Sequence, residues 1–276
     1  MPFDPAQQLA NITVVNSETT RMSETFRHWP AAHWQRSTYC PGWQAADAVA
    51  HLATAGDFYA QVITAGRRGT PELPWGARDA AGARAARAEA GQKLLAAGVA
   101  ALVAGFERGA AQLHDVLSSL RPDELTRVAW HPWGLIPIGR WIGMRLNELV
   151  IHDWDIRQPH EANAGLAPTA LGPMLTVLPV FHLRFLEQRV TDGMDGVYGI
   201  RAGTAAWAFT IRGKAVSYAA PPPAVCDAWV SADADSLMLL SMGRADTAAK
   251  RQSGALTITG NVEKGQQLCA TLFRSL

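Results

Sequence analysis

The spacing of apolar residues changes once along this chain, near residue 190, and the change limits what each part can fold into. Before it, apolar side chains recur at three- and four-residue steps, the period of a helix buried on one face. After it they fall into short alternating or β-rich clusters separated by Gly and Pro, as in half-buried strands. The sequence therefore predicts an α+β protein, with a helical domain over residues 1–190 and a small α+β domain over residues 191–276.

Five helices are expected in the first part. Leu9, Ile12, Val15, Met22 and Phe26 line the first, which Pro30 ends. The turn "CPGW" (Cys40 to Trp43) precedes a second, with Val49, Leu52, Phe58, Val62 and Ile63 on its apolar side. Leu95, Val99, Leu102, Phe106, Leu113, Val116 and Leu120 keep near-heptad spacing and predict one long third helix. An irregular aromatic stretch, Val128 to Gly139, leads to a fourth helix from about Pro137 to Arg157. A fifth runs from about Thr169 to Arg189, with a kink expected at Pro179. In the second part, "AWAFTIRG", "AVSYAA", "DAWVSA" and "ALTITG" read as strands. Ala234 to Met242 and Val262 to Phe273 read as short helices.

Charge narrows the partners. The formal net charge is +1, with no basic run, so neither nucleic acid nor an anionic membrane surface is suggested. No run of apolar residues is long enough for a membrane span. The N-terminal "MPFDPAQQLANIT" has no basic-then-apolar pattern of a secretory signal. Three scattered cysteines, Cys40, Cys226 and Cys269, fit a reducing compartment, so a cytoplasmic protein is expected. No feature argues for a particular oligomer.

The fourth helix carries two stripes. Ile142, Leu146, Leu149 and Ile156 form an ordinary apolar one. Trp141, Arg145, Glu148, His152 and Asp155 form the second, at steps of four, three, four and three. Glu148 and His152 are neighbours on one helix face and can share a metal ion. The same spacing also serves a plain ion pair or a solvated face. A metal needs a further ligand, and His51, in the apolar segment "DAVAHLATA", is the best candidate. By itself it also reads as a core histidine. Taken together, the three describe ligands from two helices of a bundle, a common way to build a metal site.

The segments "CPGWQAADAVAH" and "RLNELVIHDWD" resemble the mycothiol-dependent maleylpyruvate isomerase family, within the DinB-like group of helical bundles. The resemblance implies a DinB-like four-helix bundle followed by a sterol-carrier-like domain. It implies that His51, Glu148 and His152 bind a divalent metal, zinc first, with an open position suited to catalysis. Asp47 and Asp155 are then candidates to orient the ligand imidazoles. Arg145 is a candidate catalytic residue, as a fork for a substrate carboxylate or as an ion-pair partner. Trp130, His131 and Trp133 are candidate pocket residues. "VSADADSLMLLSMGRADTAAKRQSGALTITGN" resembles part of the sterol-carrier-like domain, where the family's active-site arginine matches Arg244 best and Arg251 next. The implied activity is a thiol S-transferase or a cis–trans isomerase using mycothiol on a small electrophile. Cys40 reads as a turn residue, since the cofactor supplies the thiol. The competing expectation is a non-catalytic carrier of an apolar small molecule that uses the second domain.

Overall fold

The computed structural model describes residues 3–189 and 193–274. Its residues form two compact units, Phe3–Leu166 and a second beginning at Ala167.

The first unit is a helical bundle built from α1 (Pro5–Arg27), α2 (Ala45–Arg67), α3 (Ala80–Ala97), α4 (Val99–Ser118) and α5 (Ile138–Arg157). Four of these make the bundle proper: α2 packs on α4 and α5, and α1 on α5 and α4. Local chemistry sets their starts. The Asp4 carboxylate accepts from the Ala6 N–H at 2.9 Å to cap α1. The Asp47 carboxylate accepts from the Gln44 N–H at 2.8 Å at the head of α2. The turn before α2 closes through Trp43 N–H to Cys40 O at 3.1 Å, with Gly42 at φ +78°.

The expected long third helix is two helices. Gly98, at φ +87°, ends α3 and starts α4, and α3 packs back on α2 and α4. The near-heptad apolar spacing runs through the break because Leu95 and Leu102 serve different helices. α2 and α4 approach at Gly56 and Gly109: a Cβ on Gly109 would stand 2.8 Å from the Ala53 carbonyl oxygen. The aromatic stretch expected to be irregular is a hairpin, β1 (Val128–His131) pairing antiparallel with β2 (Gly134–Pro137). α5 is buried along its apolar stripe and along part of the second. Ile142, Leu146 and Leu149 have no exposure, and neither do Trp141 and Asp155.

The second unit opens with α6 (Pro168–Leu175) and α7 (Leu178–Arg189), bent by 49°. The expected fifth helix thus breaks ahead of Pro179, which sits in the first turn of α7, where its missing N–H costs nothing. A five-stranded sheet follows in the order β5–β4–β3–β6–β7, from β3 (Gly196–Ala202), β4 (Ala205–Arg212), β5 (Ala215–Ala219), β6 (Ala228–Ala232) and β7 (Leu256–Gly260). β3 and β6 are parallel and the other pairs antiparallel. β3, with two glycines and an arginine breaking its alternation, was not expected from the sequence. α8 (Ala234–Ser241) and α10 (Val262–Leu272) occur where expected, and α9 (Thr247–Gln252) is additional. Among the described residues no single helix is long and apolar enough to cross a membrane.

Candidate metal centre

α2 and α5 bring His51, Glu148 and His152 together. Their ligand atoms lie within 4.8 Å of one another. His51 Nε2 stands 2.9 Å from Glu148 Oε2, and His152 Nε2 stands 4.0 Å from the same oxygen. All three side chains keep partial exposure, 26%, 28% and 13%, so the cluster reaches solvent.

The surroundings decide the protonation pattern. Asp155, fully buried, accepts a hydrogen bond from His152 Nδ1 on Oδ2 at 2.9 Å. In the neutral ring that contact leaves Nε2 as the nitrogen with a lone pair, on the side of Glu148. His51 Nε2 lies between a donor and an acceptor. The Arg87 guanidinium donates toward it from 3.2 Å, while Glu148 Oε2 lies on its other side. Two imidazole nitrogens and a carboxylate oxygen converging in this way are a donor set that fits a divalent metal. Burial pushes His51 below its ordinary value, against the pull of Glu148, which favours the neutral ring that a ligand needs. Burial alone would raise the Glu148 carboxyl. The hydrogen bond at His51, with the positive charge of Arg87, instead holds it well below the usual carboxylate range.

Trp43 explains the fourth letter of the turn motif. Its ring packs against His51 at 5.2 Å between centroids and stacks on His152 at 5.9 Å, buttressing both imidazoles. Cys40 Sγ donates to Asp155 Oδ2 at 3.2 Å, and Cys40, His152 and Asp155 form a second group of metal-capable atoms sharing His152.

The other candidates divide. Asp47 caps α2 rather than bonding His51. Arg145 is 1% exposed and donates to the Leu52 carbonyl at 3.3 Å, with its guanidinium over the Tyr59 ring. Burial draws it down to about 10, with Glu148 and Tyr59 opposing, so it remains a cation beneath Glu148. Trp130 and His131 line a cleft that Glu148 also lines, whereas Trp133 is 39% exposed on the hairpin. Arg244 is buried in the second unit and donates to the Met242 carbonyl at 2.7 Å; Arg251 is exposed on α9. Arg87 is the residue that sequence reasoning missed. Its helix, "AAGARAARAEAGQKLLAA", shows no apolar stripe to orient it.

Residues 15–157 match the model of the mycothiol maleylpyruvate isomerase N-terminal domain. The chain belongs to this family. Residues 188–273 match the SCP-2 sterol transfer family. Two solved structures similar to this member of the family are those of the mycothiol-dependent maleylpyruvate isomerase and of a histidine-to-alanine mutant of it. The mutant is 16% identical with a TM-score of 0.60, and the other structure is 15% identical with a TM-score of 0.58. Each similarity covers 93% of this chain and 93% of the other. At that identity they establish the shared fold: a helical domain followed by a sterol-carrier-like one. No curated protein matches the chain.

Proposed function

We propose that this chain is an enzyme that uses a divalent metal held by His51, Glu148 and His152 to activate a low-molecular-weight thiol, mycothiol, for reaction with a small electrophile. The reaction is a cis–trans isomerisation or an S-transfer, since both use the same activated thiol. One observation carries the reading: the ligand atoms of His51, Glu148 and His152 lie within 4.8 Å of one another, with His152 Nδ1 2.9 Å from the buried Asp155 carboxylate. The family name and the two similar structures support the thiol and the isomerase chemistry.

Two imidazoles and a carboxylate suit zinc first, and a zinc ion bound there would supply the positive charge that lowers a thiol's pKa toward neutrality. The chain's own residues do the rest. Asp155 fixes the His152 tautomer. The hydrogen bond at His51 and the charge of Arg87 favour the ionised Glu148 carboxylate. Trp43 covers both imidazoles and restricts water on that side. The catalytic role expected for Arg244 belongs to this proposal too, and Arg244→Lys tests it by turnover at unchanged metal content.

The test is metal content by mass spectrometry on wild type and His152→Ala, followed by thiol-dependent turnover. About one metal per chain in wild type, lost in the variant, is the expected result. Wild type that holds no metal after reconstitution overturns the reading.

A further inference from the structure

The turn before α2 carries a thiol that the proposed centre does not use. Cys40 Sγ donates to Asp155 Oδ2 at 3.2 Å, and His152 Nδ1 donates to the same oxygen at 2.9 Å. A sulfur, a nitrogen and a carboxylate oxygen thus converge, within 4.8 Å of one another.

Backbone bonds hold this trio together independently of any ion. Cys40 N–H donates to Thr38 Oγ1 at 3.2 Å, and Thr38 N–H to the Trp43 carbonyl at 3.0 Å. Tyr39 N–H donates to the Asp155 carbonyl at 2.8 Å, which ties the turn to the end of α5 and sets Cys40 against Asp155. Asp155 has no exposure, but Cys40 is half-buried and His152 keeps 13%, so an ion enters from the Cys40 side.

Spacing and donor types fit a cation. Donor atoms around a tetrahedral ion with bonds of about 2.0–2.3 Å stand roughly 3–4 Å apart. Both contacts to Asp155 Oδ2 are close to that spacing. The charges balance as well. The ion replaces the two hydrogens on Asp155 Oδ2: the Cys40 proton leaves to solvent, and the His152 proton moves from Nδ1 to Nε2. Two positive charges then face one thiolate and one carboxylate. A thiolate in the set selects thiophilic ions over magnesium or calcium.

With its proton on Nε2, His152 has no lone pair left for an ion shared with His51 and Glu148. One neutral imidazole serves one site or the other. We infer that Cys40, His152 and Asp155 form a second metal site, for a thiophilic divalent ion, which competes with the thiol-activating ion through the tautomer of His152. The second site stands on its own three residues, and the competition rests on the proposed first centre.

The test is a cadmium titration of the full chain carrying Cys226→Ala, which removes the other half-buried thiol. It is read by cadmium-113 NMR and by the ultraviolet thiolate-to-cadmium charge-transfer band. In chelated protein the band is expected to saturate at about one cadmium per chain. It should survive Glu148→Gln, which alters only the first centre, and vanish in Cys40→Ala. Cys40→Ser, which keeps a donor to Asp155, replaces Cys40→Ala if that variant does not fold. No band in either the parent or Glu148→Gln, or a band that survives loss of the Cys40 thiol, overturns the site. A band abolished by Glu148→Gln also overturns it, because Cys40 then ligates the first ion. In zinc-loaded protein, cadmium at the second site should lower zinc affinity about tenfold or more, as coupled sites commonly do. Zinc release to an indicator dye measures this, and Cys40→Ala should need about tenfold more cadmium for the same release. A cadmium band with zinc fully retained overturns the competition. Protein that binds no zinc is a separate result: it removes the thiol-activating reading, whereas the chelated titration still decides the second site.

Discussion

Asp155 Oδ2 accepts the Nδ1 proton of His152 at 2.9 Å from a fully buried position three residues further along the same helix. The contact fixes which nitrogen of His152 can bind a cation. In Asp155→Asn the amide can donate to Nδ1 and move the imidazole proton to Nε2, the ligand atom. Metal affinity is expected to fall roughly 10- to 100-fold, the usual size for loss of an imidazole's supporting carboxylate. Competition with a chelator of known affinity measures it, and wild-type affinity in the variant would remove Asp155 from the site.

Cys40 donates to that same oxygen, which makes a direct test of its chemistry possible. In the proposed mechanism the reacting thiol comes from outside the chain. Cys40→Ala should therefore keep its metal and retain thiol-dependent turnover within about tenfold of wild type, the scale of a lost weak hydrogen bond rather than a lost nucleophile. Abolished turnover at full metal occupancy would make Cys40 the nucleophile instead.

The position of α2 depends on small residues. Gly109→Ala puts a methyl group 2.8 Å from the Ala53 carbonyl, a backbone atom that cannot rotate away. The helix propensity gained, about 1 kcal/mol, is opposed by overpacking of about 1–3 kcal/mol. Ala53 lies two residues beyond His51, so the displacement also reaches a metal ligand. A lower urea midpoint together with weaker metal binding is expected. A stabilised variant with intact binding would show that α2 and α4 tolerate the extra spacing.

The α5 stripe was legible because helical spacing alone puts Trp141, Arg145, Glu148, His152 and Asp155 on one side. It did not reveal that Trp141, Arg145 and Asp155 are buried while Glu148 and His152 reach solvent. That difference comes from what packs on the helix, and Arg145 changes meaning with it, from a substrate fork to a buried cation. Arg87 was illegible for a related reason. "ARAARAEAGQ" has no apolar face from which to predict an orientation, and the turn at Gly98 that folds α3 onto α2 hides inside a continuous apolar spacing. The β1–β2 hairpin was missed because four-residue strands containing Trp and Pro are too short to show alternation. In the second unit the strands with regular alternation were readable, while β3 is set by its neighbours β4 and β6.

The second unit carries its own pH dependence. His182 has no exposure, its Nε2 lies 2.8 Å from Ser241 Oγ, and its ring sits among Trp207, Phe209 and Phe273. Burial pushes it down to about 3. Above about pH 6.5 the ring is neutral in both the folded and the unfolded chain, and this contribution to stability is fully present. As pH falls from there toward about 3, the unfolded chain takes up a proton that the folded chain refuses. Stability then drops by up to about 1.4 kcal/mol per pH unit. His182→Phe combined with Ser241→Ala removes the titrating ring without stranding the hydroxyl. Urea unfolding of wild type and this double variant at several pH values between about 6.5 and 4 should give a slope shallower by nearly one proton in the variant. Parallel slopes would mean that His182 is protonated in the folded protein, and the apolar ring cluster around it would then have to admit a charge.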